Sequence, residues 1–306
     1  MNLLCTNSDV RDHFQLSPRI ERQFGILYLD RPYDLLVSLS EIVVSQSDRV
    51  FKLQSGDSVL FLLFRAAHEK NLSPADSLTS IESLQLFKDA CSIIGVTEHN
   101  GIEYWERAYL KTALIRLAHR FPGLVPPVTI LDGVNSETVR TASVDRIVKS
   151  GYGIRRAVDG LMPQATLKPA GKEFVASKRY RYAIQDYIRP EREVRAYVTR
   201  GANERKVTLL NMPVASEDCP DWRDDTELDQ LVCAPVEDSY LASLSLQLCT
   251  ELELGYVCFD FLQGGDRTYL LDVNPHGSWE WLPASCRQAI DRQVESWVLS
   301  LIGDPL

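Results

Sequence analysis

Residues 256–281 read YVCFDFLQGGDRTYLLDVNPHGSWEW, and their pattern decides the fold. Two β-type runs, Tyr256 to Leu262 and Arg267 to Val273, flank Gly264-Gly265-Asp266, a short glycine-rich turn of the kind that closes a hairpin. Each run carries an acid inside apolar sequence. Asp260 stands between Phe259 and Phe261, and Asp272 follows Tyr269-Leu270-Leu271. An ionised carboxylate in such a setting is costly to bury unless it is paired or bound to a cation. If the strands pair across the turn, Asp260 and Asp272 become neighbours, and Asn274 shares the face of Asp272 two residues earlier. Two carboxylates and an amide oxygen form a hard-oxygen set suited to Mg2+ bridging phosphates, and without a cation the acids repel one another. Read alone, the same residues serve equally as a turn cap and the start of a loop.

Outward from the hairpin, Glu237 to Leu254 is an amphipathic helix with Leu241, Leu244, Leu248 and Leu252 on one stripe, stopping at Gly255. Before it, YAIQDYI (from Tyr182), EVRAYVT (from Glu193) and KVTLLNM (from Lys206) are three β-type runs separated by Arg/Pro and Gly/Asn turns, which predicts an antiparallel sheet. Trp105 to Arg120 reads as a helix with Leu110, Ala113, Leu114 and Leu117 on one face, followed by an extended stretch from Val125 to Leu131. Ser80 to Gly95 is helical, with a break at Asn100 to Ile102. Leu35 to Val44 and Ser58 to Phe64 read as strands, the second apolar enough for a buried parallel sheet. Cys286 to Ile302 is a closing helix. The class is α/β shading into α+β.

Composition narrows the function. The chain has 306 residues, 45% hydrophobic and 25% charged, enough for a large core without disulfides. Seven scattered cysteines with no CxxC pair give neither a zinc knuckle nor a disulfide framework. No signal peptide and no run of about 20 apolar residues is present, so the expectation is a cytoplasmic protein without a membrane span. A net charge of −9 argues against a general nucleic-acid binder. One basic segment runs against that balance. Nine Lys/Arg and two acids lie between Arg146 and Arg181, a surface that suits phosphates, an acidic peptide or plain solvation.

The DF, Gly-containing turn and YLLDVNPHGSW resemble the closing signature of ATP-grasp enzymes, in particular ribosomal protein S6 glutamate ligase and the maturases of microviridin-type graspetide peptides. By that resemblance Asp260, Asp272 and Asn274 hold magnesium. Asp272 stands where the family usually has glutamate. Other elements follow in family order. Lys111 resembles the first ATP lysine and Lys149, in RIVKSGYG, the second. Gln185-Asp186-Tyr187-Ile188 resembles the inter-lobe hinge that reads adenine, with Asp186 for the usual glutamate. Glu193 and Arg195 of EVR resemble the acid-x-arginine element, the acid binding ribose and the arginine sitting near the phosphates. Arg223 of Asp221-Trp222-Arg223 resembles a phosphate-contacting arginine.

The resemblance implies an ATP-grasp fold with an N-terminal α/β domain over residues 1–98, a central lobe over 99–184 and a C-terminal lobe over 185–306. It implies ATP and Mg2+, an acylphosphate route with Arg195 and Arg223 as catalytic cations, and a ribosomal precursor peptide as substrate. The basic segment 155–181 is then a docking surface for its leader, and homodimers are frequent among the relatives it resembles. Positioned cations and metals suit phosphoryl transfer, which is mostly charge neutralisation and alignment. No protein nucleophile is required. His276 reads as a loop residue near the phosphates rather than a base. Two other readings stay open: a small-molecule ligase of the glutamate-adding type, and a nucleotide-binding module without turnover.

Overall fold

The computed structural model describes residues 1–6, 18–29, 33–62, 74–100, 112–132, 138–139, 146–150, 166–167, 174–175, 181–201, 204–214, 232–275, 277–279 and 281–301. The N-terminal part is built on a parallel sheet. Strand β1 (Asn2–Thr6) lies between β2 (Gly25–Tyr28), reached through helix α1 (Pro18–Gln23), and β6 (Ser58–Phe61). Strand β7 (Thr97–His99) adds to the β6 edge after helix α2 (Pro74–Ile94). The strands are apolar on both faces, as a covered parallel sheet requires: Leu3, Leu4, Cys5, Val59 and Phe61 are all buried. Between β2 and β6 the chain makes an antiparallel meander, β3 (Asp34–Val37), β4 (Glu41–Gln46) and β5 (Arg49–Gln54).

That meander corrects one expectation. Leu35 to Val44 is two strands, not one. Ser38 turns the chain, its hydroxyl donating to the Glu41 carbonyl and accepting from the Glu41 amide, both at 3.1 Å. Other elements were expected with different limits. Helix α2 begins earlier than Ser80, and the helix expected from Trp105 is described over Thr112–Arg120 (α3), its earlier residues lying outside the described ones.

A second, antiparallel sheet follows. Strand β8 (Val128–Asp132) precedes a two-stranded ladder of β9 (Thr138–Val139) with β12 (Phe174–Val175); β10 (Arg146–Ser150), β11 (Thr166–Leu167) and β13 (Arg181–Asp186) complete the sheet in the order β11-β10-β13-β8.

The five-stranded antiparallel sheet carries the candidate site residues of the closing hairpin. Its order is β16-β15-β14-β17-β18, from β14 (Arg192–Arg200), β15 (Arg205–Met212), β16 (Ala234–Pro235), β17 (Tyr256–Gly264) and β18 (Arg267–Asn274). Helix α4 (Ser239–Glu251) crosses between β16 and β17; it starts later than Glu237 because Asp238 caps it, accepting from the Leu241 amide at 3.0 Å. Alternation along the strands gives two apolar faces. On one, Val194, Ala196, Val198, Phe259, Phe261, Leu270 and Val273 pack with Ala113, Leu114 and Leu117 of α3 and Leu241, Leu244 and Leu248 of α4. On the other, Tyr197, Leu210, Cys258 and Trp279 pack with helix α5 (Ala284–Ser300) and with Leu4, Ile26 and Leu60 of the N-terminal sheet. Each buried Phe contributes roughly 2–3 kcal/mol by leaving water. The sheet is therefore sandwiched, and only part of its α5 face is left to polar side chains. No described helix is long and apolar enough to cross a membrane.

Candidate active site

The polar part of the α5 face is set by strand register. Paired residues share a face, so Arg195, opposite Asp260, and Asp260, opposite Asp272, form a polar row across three strands. One irregularity makes the row possible. From the turn upward the hairpin pairs Gly264 with Arg267 and continues to Phe261 with Leu270; a β-bulge then absorbs Leu271 and restores pairing at Asp260 and Asp272. Without the bulge, Leu271 would stand opposite Asp260 and Asp272 would turn into the apolar α3–α4 face. Asn274, opposite Cys258, lies on the same face as Asp272, and Glu193, two residues before Arg195, lies on the face of Arg195.

Arg195 and Asp260 make a bidentate ion pair, Nε to Oδ1 at 2.6 Å and Nη2 to Oδ2 at 2.9 Å. The Arg195 side chain is 13% exposed and that of Asp260 29%. The guanidinium also lies over the indole of Trp281, 5.1 Å from the ring centre. Burial works against the Arg195 charge, but the Asp260 carboxylate more than offsets it and holds the guanidinium ionised well above its usual range. Burial raises the neighbouring Cys258 thiol; Arg195 opposes that rise, while Asp260 and Asp272 add to it. Asp272 accepts from the Val273 amide at 2.8 Å. Among the described residues no three His, Cys, Asp or Glu side chains gather in a way that could hold a metal ion.

The loop after β18 is packed rather than open. Tyr256 donates its hydroxyl to the Gly277 carbonyl and Tyr197 to that of Ser278. A Cβ on Gly277 would sit 2.3 Å from Cys258 Cβ, so only glycine fits beside that strand. Trp279, on its indole nitrogen, donates to Asp291 at 2.7 Å and stacks edge-on with Tyr197.

The expected hinge lies where β13 ends. The Asp186 amide donates to Pro127 at 3.1 Å, and the Glu191 amide to Gln263 at 2.9 Å. Past Tyr187, the Arg189 carbonyl and Ile188 press on Gly264, where a Cβ would come within 2.8 Å and 3.1 Å of them. The hinge segment and the hairpin are thus in direct contact. Gln185 is 1% exposed, yet neither end of its side-chain amide has a partner among the described residues. A buried amide in that condition loses roughly 1–3 kcal/mol unless a ligand or water satisfies it.

Of the expected site residues, the fold brings Asp260, Asp272, Asn274, Arg195 and Glu193 onto one face of one sheet. It sets Lys149 on β10 opposite Ala183, two positions from Ile147, which pairs with Gln185. Lys111, Arg223 and His276 lie outside the described residues. Three features were not expected from sequence: the ion pair of Arg195 with Asp260, Trp281 over that arginine, and the Asn100 side chain at the base of the hairpin. The acid and arginine of the pair were both singled out, but their contact depends on β14 lying beside β17. A shallow groove between α3 and α4, with Arg116 and Arg120 paired to Glu251, lies on the other face of the sheet, away from the acids.

No family model matches the sequence, and no curated protein matches it. Solved structures do. The Chryseobacterium gregarium RiPP-associated ATP-grasp ligase, in complex with ADP and a leader and core peptide, aligns with a TM-score of 0.68 at 16% identity, covering 99% of this chain and 97% of that one. The macrocyclase MdnC of Microcystis aeruginosa, bound with precursor peptide MdnA, aligns with a TM-score of 0.67 at 15% identity, covering 99% and 100%. D-alanyl-alanine synthetase A of Vibrio cholerae aligns with a TM-score of 0.58 at 10% identity, covering 99% and 98%. The chain has the ATP-grasp fold, as the closing motif led us to expect.

Proposed function

We propose that this ATP-grasp fold is an ADP-forming carboxylate ligase acting on a ribosomally made precursor peptide, joining a carboxylate side chain to a hydroxyl or amine side chain. The observation that carries the reading is the bulged hairpin. It sets two carboxylates directly opposite each other on one face, a hard-oxygen pair of the kind that holds a divalent cation. The chemistry of the donor set fits Mg2+, with Asp260, Asp272 and Asn274 as ligands. Asp260 enters that role with its oxygens already on Arg195, so the arginine orients the carboxylate from behind, as outer partners of metal ligands do. Magnesium held there would draw charge from the phosphate oxygens during transfer. The unsatisfied Gln185 amide suits the heteroatoms of an adenine lying along the hinge of residues 185–188.

In this reading Glu193 takes the ribose hydroxyls. Lys111, Lys149 and Arg223 neutralise the phosphates, and Arg195 and Arg223 stabilise the transferring group. A peptide carboxylate oxygen attacks the γ-phosphorus and ADP departs. A hydroxyl or amine then attacks the acyl carbon and phosphate leaves, so each bond costs the peptide one water. The three-part division at residues 98 and 184 belongs to the same reading, as do leader docking on the basic segment 155–181, a homodimeric assembly and a cytoplasmic setting.

The likeness to peptide-bound ligases over the full length supports a peptide rather than a free amino acid. The likeness to D-alanyl-alanine synthetase, at a lower TM-score, keeps a small-molecule ligase as the second reading. The test is Mg2+-dependent ADP release with a short Thr-, Ser-, Lys-, Asp- and Glu-rich peptide encoded beside the gene, against free glutamate. Release with the peptide, and loss of one water mass per bond formed, supports the maturase. Release with glutamate alone favours the small-molecule ligase, and tight ATP binding without release under either condition overturns both.

A further inference from the structure

The open end of the hairpin is held by one side chain from the first third of the chain. Asn100 follows β7 directly, is 5% exposed, and has φ of 52°, the left-handed region that asparagine tolerates better than other side chains. Its Oδ1 accepts from the Tyr256 amide at 3.1 Å. Its Nδ2 donates to the Pro275 carbonyl at 3.3 Å and to the Phe61 carbonyl at 3.4 Å. Tyr256 is the first residue of β17, and Pro275 follows Asn274 at the end of β18. The two strands that carry Asp260, Asp272 and Asn274 are therefore joined at their Gly265 end by the turn and at their open end by this amide. Its third bond ties both to β6 of the parallel sheet.

Both N–H groups of the amide and one lone pair of its oxygen are used. Aspartate has the same shape but cannot donate, and would set a carboxylate against two carbonyl oxygens. Glutamine is a methylene too long. Glycine, asparagine and aspartate all tolerate the backbone conformation, and the bonding pattern selects asparagine among them.

We propose that Asn100 is a positioning residue for the metal-ligating end of β18: by fixing the Pro275 carbonyl it sets where Asn274 presents its oxygen, and it makes that position depend on the N-terminal sheet. This rests on the magnesium reading given above. Outer partners bonded directly to a metal ligand change metal affinity by about 10–100-fold when altered; Asn100 acts one residue removed, through the Pro275 carbonyl, so the low end of that range is expected.

The test is direct binding of Mn2+, a paramagnetic substitute for Mg2+, to the full-length protein with ADP, followed by electron paramagnetic resonance. Asn100→Asp and Asn100→Gly, the second keeping the left-handed conformation free of strain, are expected to weaken Mn2+ binding about tenfold. The control for general loosening is Gln293→Ala. That buried amide also makes three bonds, to Thr208, Tyr197 and Lys206, but touches neither strand of the hairpin. It is expected to leave Mn2+ binding within about twofold of wild type. Unchanged Mn2+ binding in both folded Asn100 variants overturns the proposal, and so does an equal loss in Gln293→Ala. Wild-type binding that is indifferent to Asp272→Asn would instead sink the magnesium reading, and the proposal with it, a result recognised without any change at Asn100.

Discussion

Replacing Asp260 by Asn tests the electrostatics of the site before any substrate is known. The change keeps the side chain's shape and one acceptor but removes the charge facing Arg195. Breaking one side of a buried ion pair costs about 3–5 kcal/mol, and an exposed pair contributes about 0–1 kcal/mol. Here the arginine is 13% exposed and the acid 29%, with two short bonds between them, so the pair lies between those limits. Trp281 remains over the guanidinium and retains about 0.5–1 kcal/mol of its stabilisation. The expected loss is about 2 kcal/mol, a fall in Tm of roughly 3–6 °C for a chain of this size. The assay is thermal unfolding in metal-free buffer with chelator, beside the double replacement Arg195→Met with Asp260→Leu. An apolar pair of similar volume should return stability close to wild type, since neither charge is then left unmatched. If Asp260→Asn melts at or above the wild-type temperature, repulsion between Asp260 and Asp272 outweighs the ion pair, and the arginine's role as anchor is wrong.

Gly264→Ala should push Ile188 and the Arg189 carbonyl off the hairpin, costing about 1–3 kcal/mol and raising the KM for ATP more than it lowers kcat. Gly265→Ala, at a left-handed turn position with open space around it, should cost about 1 kcal/mol and leave the KM for ATP unchanged; equal kinetic effects at both positions would refute hinge contact as the cause. Burial pushes the Cys249 thiol up to about 11 and the Cys91 thiol up to about 12, both from an ordinary 9.0. Since the unfolded thiols lose protons that the folded ones keep, urea stability should hold below pH 9 and fall as pH rises toward 11, and a rising urea midpoint across that range would contradict the assignment. Asp238→Ala removes the α4 cap and a partner of Arg192, and should cost about 1 kcal/mol without altering nucleotide binding, as thermal melts and nucleotide titration would check.

What was legible in the sequence was local. The Gly264-Gly265-Asp266 turn and the alternation on either side of it announced the β17–β18 hairpin, and acids among Phe and Leu marked the candidate site. The face shared by Asp260 and Asp272 was expected from simple pairing, although it depends on a bulge at Leu271 that no spacing rule supplies. Short strands were harder. β1 is specified by partners such as Val59, far along the chain, and carries no alternation of its own because both its faces are buried. The turn between β3 and β4 was hidden by Leu39, an apolar residue in Ser38-Leu39-Ser40 that is fully exposed. Arg195 against Asp260 spans 65 residues and follows from sheet order. Asn100 read only as a break between helices, because its use lies in a left-handed backbone and three remote carbonyl and amide groups.

If a peptide carboxylate is activated by phosphoryl transfer on this fold, one of its oxygens leaves with the phosphate. The most direct measurement is to label the carboxylate oxygens of the candidate precursor peptide with heavy oxygen and weigh the inorganic phosphate released with ADP. One labelled oxygen per phosphate is expected, lost together with turnover in Asn274→Ala. Unlabelled phosphate released from wild type would mean that water, not the peptide, attacks ATP, and would contradict the account.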